Sequence, residues 1–542
     1  MTTEIDYQGT QAKSSLIIPT TFVIPRSVAR NLVGGTSALG LGVIIERGFG
    51  FLSNLLAARL GGASTFGAYS LAITTASNIS TYAAGGIGST AVRFSGKYPR
   101  DSAGYRTLSK VLLIISLVSA ALAAAGLWAG APAIAHLLGK DSLTGLLHWA
   151  ALSAAGMIML ECCRGFLVGQ RLIGAILLLS SAVGIGLIAL LPAASRVGPV
   201  RMITSQGCIT LGAVFLCLIL YKPLGLAPSL TAATVKQPLG PMLRSVWSFG
   251  IIQLAGMIGM NAAGWWLTSL IAKADTTMVQ VGLFAIANQL RNMVSLAPGL
   301  LSESGLAVMA NGENDESNMA GRVMALCTFV TVFSSLLVAG FAITIVPWGL
   351  TVLYGKTYAP AAAACCISLA TAVVHMGSAP ASAQLTILSI RLTGVINTVW
   401  ALLVASSATL LYLGRNVAGG NLAWTGALIY LGAHLASAFL VIAALWRRKA
   451  LPRGVLKISV LGWSAALLLA MLALVRLLHP ELTISLSLLM LAVCLVSSAL
   501  MLRMGHLHHW VPSIVAIKGI LRTKGFLRSL AVEPPTSGGV DA

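Results

Sequence analysis

Charge is what this sequence has least of. Only 9% of its 542 residues are charged, and 14 of them are Asp or Glu. That scarcity excludes much chemistry. The one notably acidic stretch is the short GENDES of Gly312–Ser317, no outer loop is long enough for a catalytic domain, and none offers paired carboxylates. Cys162, Cys163, Cys208, Cys217, Cys327, Cys365, Cys366 and Cys494 all fall in apolar segments, without CxxC or Cys/His spacing. A disulfide framework and a zinc site are therefore not expected. The glycine-rich stretches lack Walker spacing, so no phosphate loop is read either. The first 30 residues have no basic n-region, apolar core and cleavage site of a signal peptide. No catalytic residue, metal or cofactor is predicted, and the chain does not read as an enzyme.

Apolar residues, by contrast, make up 57% of the chain, and uncharged runs of 18 or more recur along it. This predicts an all-α polytopic membrane protein; a barrel would show short alternating segments instead. About fourteen spans can be counted. They divide into an N-terminal tail (1–30), a six-helix bundle (31–222), a connector (223–244), a second six-helix bundle (245–446), two further helices (447–503) and a basic tail (504–542). The tail suits either an amphipathic helix on an anionic leaflet or frayed topogenic charge.

The net charge of +21 belongs to topology. Sorted by alternate loops, about 25 Lys and Arg fall on one side and about eight on the other. The positive-inside rule then places both termini in the cytoplasm. With no aromatic-rich basic patch, nucleic acid is not a predicted partner.

The halves repeat. LLGK at Leu137–Lys140 returns as LYGK at Leu353–Lys356, and RLIGAI from Arg171 as RLTGVI from Arg391. ARLGGASTFGAYSLA from Ala58 resembles AKADTTMVQVGLFAIA from Ala272, with Gly67 and Gly282 about 215 apart. Six helices per half is an even number, so the halves share one orientation and the repeat is parallel.

Against this apolar background a few polar residues stand out. Arg47 lies about twelve residues inside Arg59, roughly 18 Å at helical rise, and Arg291 is at similar depth in the eighth span. A guanidinium at mid-membrane is costly, which points to an interior cavity; pairing with an acid to hold helices together is the other reading. Ser70, Thr74, Ser77, Asn78 and Thr81 share one face of the second span, and Asn288, Asn292 and Ser295 extend that of Arg291. Asn261 stands about where the repeat places Arg47, and with Gln253 it lines the same cleft or packs between helices. Two unpaired guanidiniums facing one cleft would bind phosphate, whose oxygens match their planar forks. Glu161 and Arg164, three apart, form a local ion pair or a gate latch; Glu303 is similar. His375 and His434 are either proton relays or satisfied neutral rings. Trp265 and Trp266 fit an aromatic belt.

The order of these features resembles a known family. A first helix with a deep Arg, then ARLGGASTFGAYSLA, then a polar helix ending GIGSTAVRFSGKY are followed by YGKTYAPAAAACCISLA from Tyr354 and SAQLTILSIRLTGVIN from Ser382. Across residues 30–446 this is similar to the polysaccharide-transport (Wzx-type) flippases of the multidrug/oligosaccharidyl-lipid/polysaccharide exporter superfamily, relatives of the lipid II flippase. The resemblance implies a V-shaped pair of six-helix bundles that moves a polyprenyl-diphosphate-linked oligosaccharide across the bacterial inner membrane for surface or exopolysaccharide synthesis. It implies membrane lipid, a polymerase and export machinery as partners. It matches Arg47 and Arg291 to the arginines of that relative's cationic cavity, which carries more of them than this chain does. It also assigns the last two helices a lipid groove. A cation-coupled multidrug exporter of the same superfamily is the alternative. Cationic drugs call for deep carboxylates, and Glu46 is the one acid near mid-membrane.

Overall fold

The computed structural model describes residues 26–84, 86–95, 102–170, 172–221, 258–311, 319–414, 421–452 and 454–507. The connector, Gln253, the acidic 312–317 loop, residues 1–25 of the N-terminal tail and nearly all of the basic tail lie outside them, as does the side chain of Glu303. The described residues are helical throughout: α1 (Arg26–Ala84), α2 (Ile87–Ser95), α3 (Ala103–Leu137), α4 (Thr144–Gly169), α5 (Ile173–Val197), α6 (Pro199–Tyr221), α7 (258–274), α8 (Val279–Asn311), α9 (Met319–Leu353), α10 (Ala362–Leu388), α11 (Ile390–Leu413), α12 (Leu422–Arg447), α13 (Val455–Leu478) and α14 (Thr483–Leu507). In lipid only such a fold satisfies every backbone group within its own segment.

The 59-residue α1 is two spans in one, because Gly62 (φ 76, ψ 170) breaks it. Its two arms with α3–α14 make fourteen long helical segments among the described residues. Among the described residues, ten helices, α3–α6 and α9–α14, are long and apolar enough to cross a membrane. Among the long described helices α1 and α8 are the more polar, and they pack against each other.

The first arm of α1 runs parallel to α5 in a fixed register. Gly42 faces Ile176, Phe49 packs on Gly184, Ser53 Oγ donates to Leu187 O at 2.8 Å and Gly61 abuts Ser195. Helices α3, α4 and α6 complete this bundle, while α8–α12 form a second one around the deeply buried α10. Hydroxyls in the spans cost little, because they bond back one turn: Thr75 to Leu71 O (2.8 Å), Ser116 to Leu112 O (2.7 Å), Thr371 to Ile367 O (2.8 Å).

Helices α13 and α14 dock on α9 through Arg476. Pro347 has no N–H, so the carbonyl of Ile343 loses its helical donor. The Arg476 guanidinium replaces it, donating to Ile343 O (3.1 Å), Thr344 O (2.7 Å) and Ser487 Oγ (2.8 Å). Counted by sequence among the loop charges, Arg476 is instead buried, at 4% exposure. Arg476→Ala should cost on the order of 2–4 kcal/mol by stranding those acceptors, read as a lower melting temperature of the detergent-solubilised protein. An unchanged melting temperature would contradict the clamp.

Candidate functional site

The two halves are sealed at one end of the bundle, where the repeat is repeated in space. Gly62 at φ 76 breaks α1, and Met278 at φ 65, about one repeat offset later, breaks the chain between α7 and α8. A side chain at Gly67 would overlap Met278 O, and one at Gly282 would overlap Ala63 O. Residues 63 and 278 are again about one offset apart, so the contact is reciprocal, as across a two-fold axis. Only glycine lets the two backbones approach this closely.

Polar groups secure the seal. Ser64 Oγ donates to Thr277 O (2.5 Å), Lys140 Nζ to Thr276 O (3.1 Å) and Arg59 to Val352 O (2.8 Å), a free carbonyl at the C-terminus of α9. The buried Tyr358 reaches Ala58 O at 3.1 Å. Asp275 shapes the 275–278 turn by accepting from Thr277 N (2.9 Å) and Gln280 N (2.6 Å). Deeper in, Trp265 Nε1 donates to Thr75 Oγ1 (2.9 Å) and Gln289 Nε2 to Phe51 O (3.1 Å). These two bonds carry the link between halves to about eleven residues below Gly62, roughly 16 Å. Trp266 Nε1 bonds Thr409 Oγ1 at 3.0 Å. The two tryptophans thus tie helices together, where the sequence suggested an aromatic belt.

Arg47 lies one turn below Phe51. It is exposed and makes no ion pair among the described residues. Its neighbour Glu46 turns the other way, paired with Arg164 of α4 and accepting from Ser180 Oγ of α5 (3.3 Å). The local Glu161–Arg164 pair suggested by their spacing is therefore replaced by a bond between helices. Glu161 lies instead against Gly88 of α2. Since α1, α4 and α5 all belong to the first bundle, the Glu46–Arg164 pair braces that bundle and does not latch one half to the other.

Arg291, about twelve residues from the start of α8 and so roughly 18 Å from the sealed end, has a different setting. Its guanidinium carbon sits 4.7 Å from the ring centroid of Tyr430 on α12. That ring stacks with Phe284 of α8 (5.8 Å, 12°) and Trp400 of α11 (5.8 Å, 19°). His434 tilts against Trp400 at 5.3 Å, and His375 of α10 meets His434 edge-on at 4.7 Å. Nη1 of Arg291, Oδ1 of Asn288 and Nε1 of Trp400 are enclosed without a hydrogen-bond partner, and Arg291 makes no ion pair among the described residues. A cation in such a site carries a desolvation penalty that no carboxylate offsets. The arrangement is suited to receiving an anion.

The remaining polar residues are spread out. Asn292 is exposed, Asn261 is half-buried on α7, and Asn78 is occupied on its own helix, donating to Thr74 O (2.9 Å) and accepting from Tyr82 (3.1 Å). Thr81 likewise bonds Ser77 O at 2.9 Å, so part of the hydroxyl stripe is satisfied locally and needs no cavity. Sequence reading passed over Thr75, Gln289, Trp400 and Tyr430. The one available signal was Tyr430 and His434 four apart in an otherwise apolar span.

No curated protein sequence matches the chain. The profile of the family described as polysaccharide biosynthesis protein matches residues 32–301. Among solved structures, the lipid II flippase MurJ in an inward closed conformation is similar with a TM-score of 0.60 and 13% identity, over 86% of this chain and 98% of that one. An inward-facing multidrug resistance MATE family transporter of the MOP superfamily gives a TM-score of 0.57 at 14% identity, over 77% and 97%. A MOP superfamily transporter from Pyrococcus furiosus gives 0.50 at 12%, over 78% and 97%. At such identities the likeness is one of fold. This multi-pass membrane protein thus matches the polysaccharide biosynthesis protein family over residues 32–301, and its helical fold is of the kind seen in MurJ and MATE transporters.

Proposed function

We propose that this protein is a flippase that carries a polyprenyl-diphosphate-linked oligosaccharide across the bacterial inner membrane, for surface or exopolysaccharide synthesis. The observation that carries the reading is a pair of arginines without carboxylate partners among the described residues, Arg291 half-buried with its Nη1 enclosed and Arg47 exposed, at similar depth below a seal between two bundles. A diphosphate offers the oxygens that two guanidinium forks accept. The two bundles rock against each other, breaking and remaking the seal, so the site opens to each side in turn and no covalent step is needed. Asn288, Asn292 and Asn261 add polar contacts to the glycan-bearing headgroup. By the positive-inside rule the sealed end faces outward and both termini lie in the cytoplasm. Lipid surrounds the bundle, and a polymerase and export machinery receive the product.

A cation-coupled drug exporter on the same fold would need a free acid at this depth. Glu46, the acid nearest it, is already engaged by Arg164.

Deleting the gene should stop polymer export and leave lipid-linked oligosaccharide on the cytoplasmic leaflet, measured by leaflet-selective labelling of extracted glycolipids. In a cysteine-depleted protein, a cysteine at position 140 should react with an impermeant reagent added outside. Normal polymer with altered drug sensitivity would sink the flippase reading.

A further inference from the structure

A guanidinium enclosed among helices normally rests on a carboxylate. Arg291 rests on an aromatic ring, 4.7 Å from the Tyr430 centroid. That ring is held on several sides, by Phe284 of α8, by Trp400 of α11, and by α7, where a Cβ at Gly264 would come within 2.8 Å of the Tyr430 hydroxyl. The face of an aromatic ring attracts a cation without using its N–H groups. A carboxylate in the same place would occupy the fork and repel an incoming anion.

We propose that Tyr430 is a positioning residue, its ring standing in for a counter-ion so that Arg291 stays oriented with Nη1 free for a phosphate oxygen of the substrate. This rests on the reading that Arg291 binds the diphosphate. The ring face does the work, and the hydroxyl is dispensable. Tyr430 holds the guanidinium plane, and Arg291 alone touches the anion. Nη1 is covered in this arrangement and has no hydrogen-bond partner, so it is the atom left for a phosphate oxygen once the bundles part.

The test is calorimetric titration of farnesyl diphosphate into the full-length protein in nanodiscs. Wild type and Tyr430→Phe should bind within about twofold of each other. Tyr430→Leu should bind about tenfold more weakly, and Tyr430→Met, of similar bulk, carries the comparison if the leucine variant does not fold. In an Arg291→Lys background, which has already lost the planar fork, Tyr430→Leu should cause little further loss, because the two residues act as one unit. Wild-type affinity in both Tyr430→Leu and Tyr430→Met, or losses that add independently of Arg291, would overturn the proposal. Absence of diphosphate binding by wild type would overturn the diphosphate reading itself, and this inference with it.

Discussion

Arg291→Ala and Arg47→Ala variants are expected to reach the membrane in normal amounts and to export little or no polymer. The expectation follows from what each arginine lacks. Neither has an acid partner among the described residues, so truncation strands no buried carboxylate and the bundle should still assemble. What is lost is a charge-assisted contact to the substrate, on the order of 1.5–3 kcal/mol, or about ten- to a hundred-fold in affinity. Arg291→Lys keeps the charge but not the fork and should fall between the two. Arg164→Ala supplies the contrast, since it leaves Glu46 unpaired within the first bundle and should lower the amount of protein. Quantifying each variant in purified inner membranes alongside exported polymer separates the cases. Full export by well-expressed alanine variants would defeat the cationic-site mechanism.

The second large effect is expected at the seal. Gly67→Ala and Gly282→Ala each add a single methyl group, yet each methyl falls on a backbone carbonyl of the opposite half, which cannot swing aside as a side chain would. Overpacking of this kind costs on the order of 1–3 kcal/mol, enough to shift a two-state equilibrium by roughly five- to a hundred-fold away from the sealed arrangement. Because the contact is reciprocal, the two substitutions should act alike. In a cysteine-depleted background, cysteines at 64 and 277, where Ser64 Oγ now meets Thr277 O at 2.5 Å, report closure directly. Their crosslinking should be efficient in the parent protein and fall in both alanine variants, with transport falling in parallel. Undiminished crosslinking in either variant would show that the glycine contact does not govern closure.

The pair Gly67 and Gly282 also shows how much could be read before any coordinates. Their equivalence was legible from the offset between halves, but not that each would press on the other's partner, since a sequence repeat says nothing about where its two-fold axis passes. The depth of Arg47 and Arg291 was legible too, because helical rise is constant and the spans are bounded by turn signals. That neither would meet an acid among the described residues was not. Glu161 and Arg164 are neighbours by helical spacing, and only the packing of α1 against α4 and α5 brings Glu46 within reach.

The sequence by itself determined that this is a helical membrane protein of about fourteen segments in two parallel halves, because apolar run length and backbone hydrogen bonding leave lipid-embedded chain few alternatives. It also determined which polar residues are too costly to face lipid. Tertiary structure decided what they do instead. Arg476 leaves the loops to donate to the Ile343 carbonyl freed by Pro347 and to that of Thr344 beside it, and Trp265 leaves the membrane surface to bond Thr75 across the halves. Arg291 rests on Tyr430, a residue 139 positions away. Each of these is a pairing between segments distant in the chain, set by how helices cross, and local pattern carries no record of it.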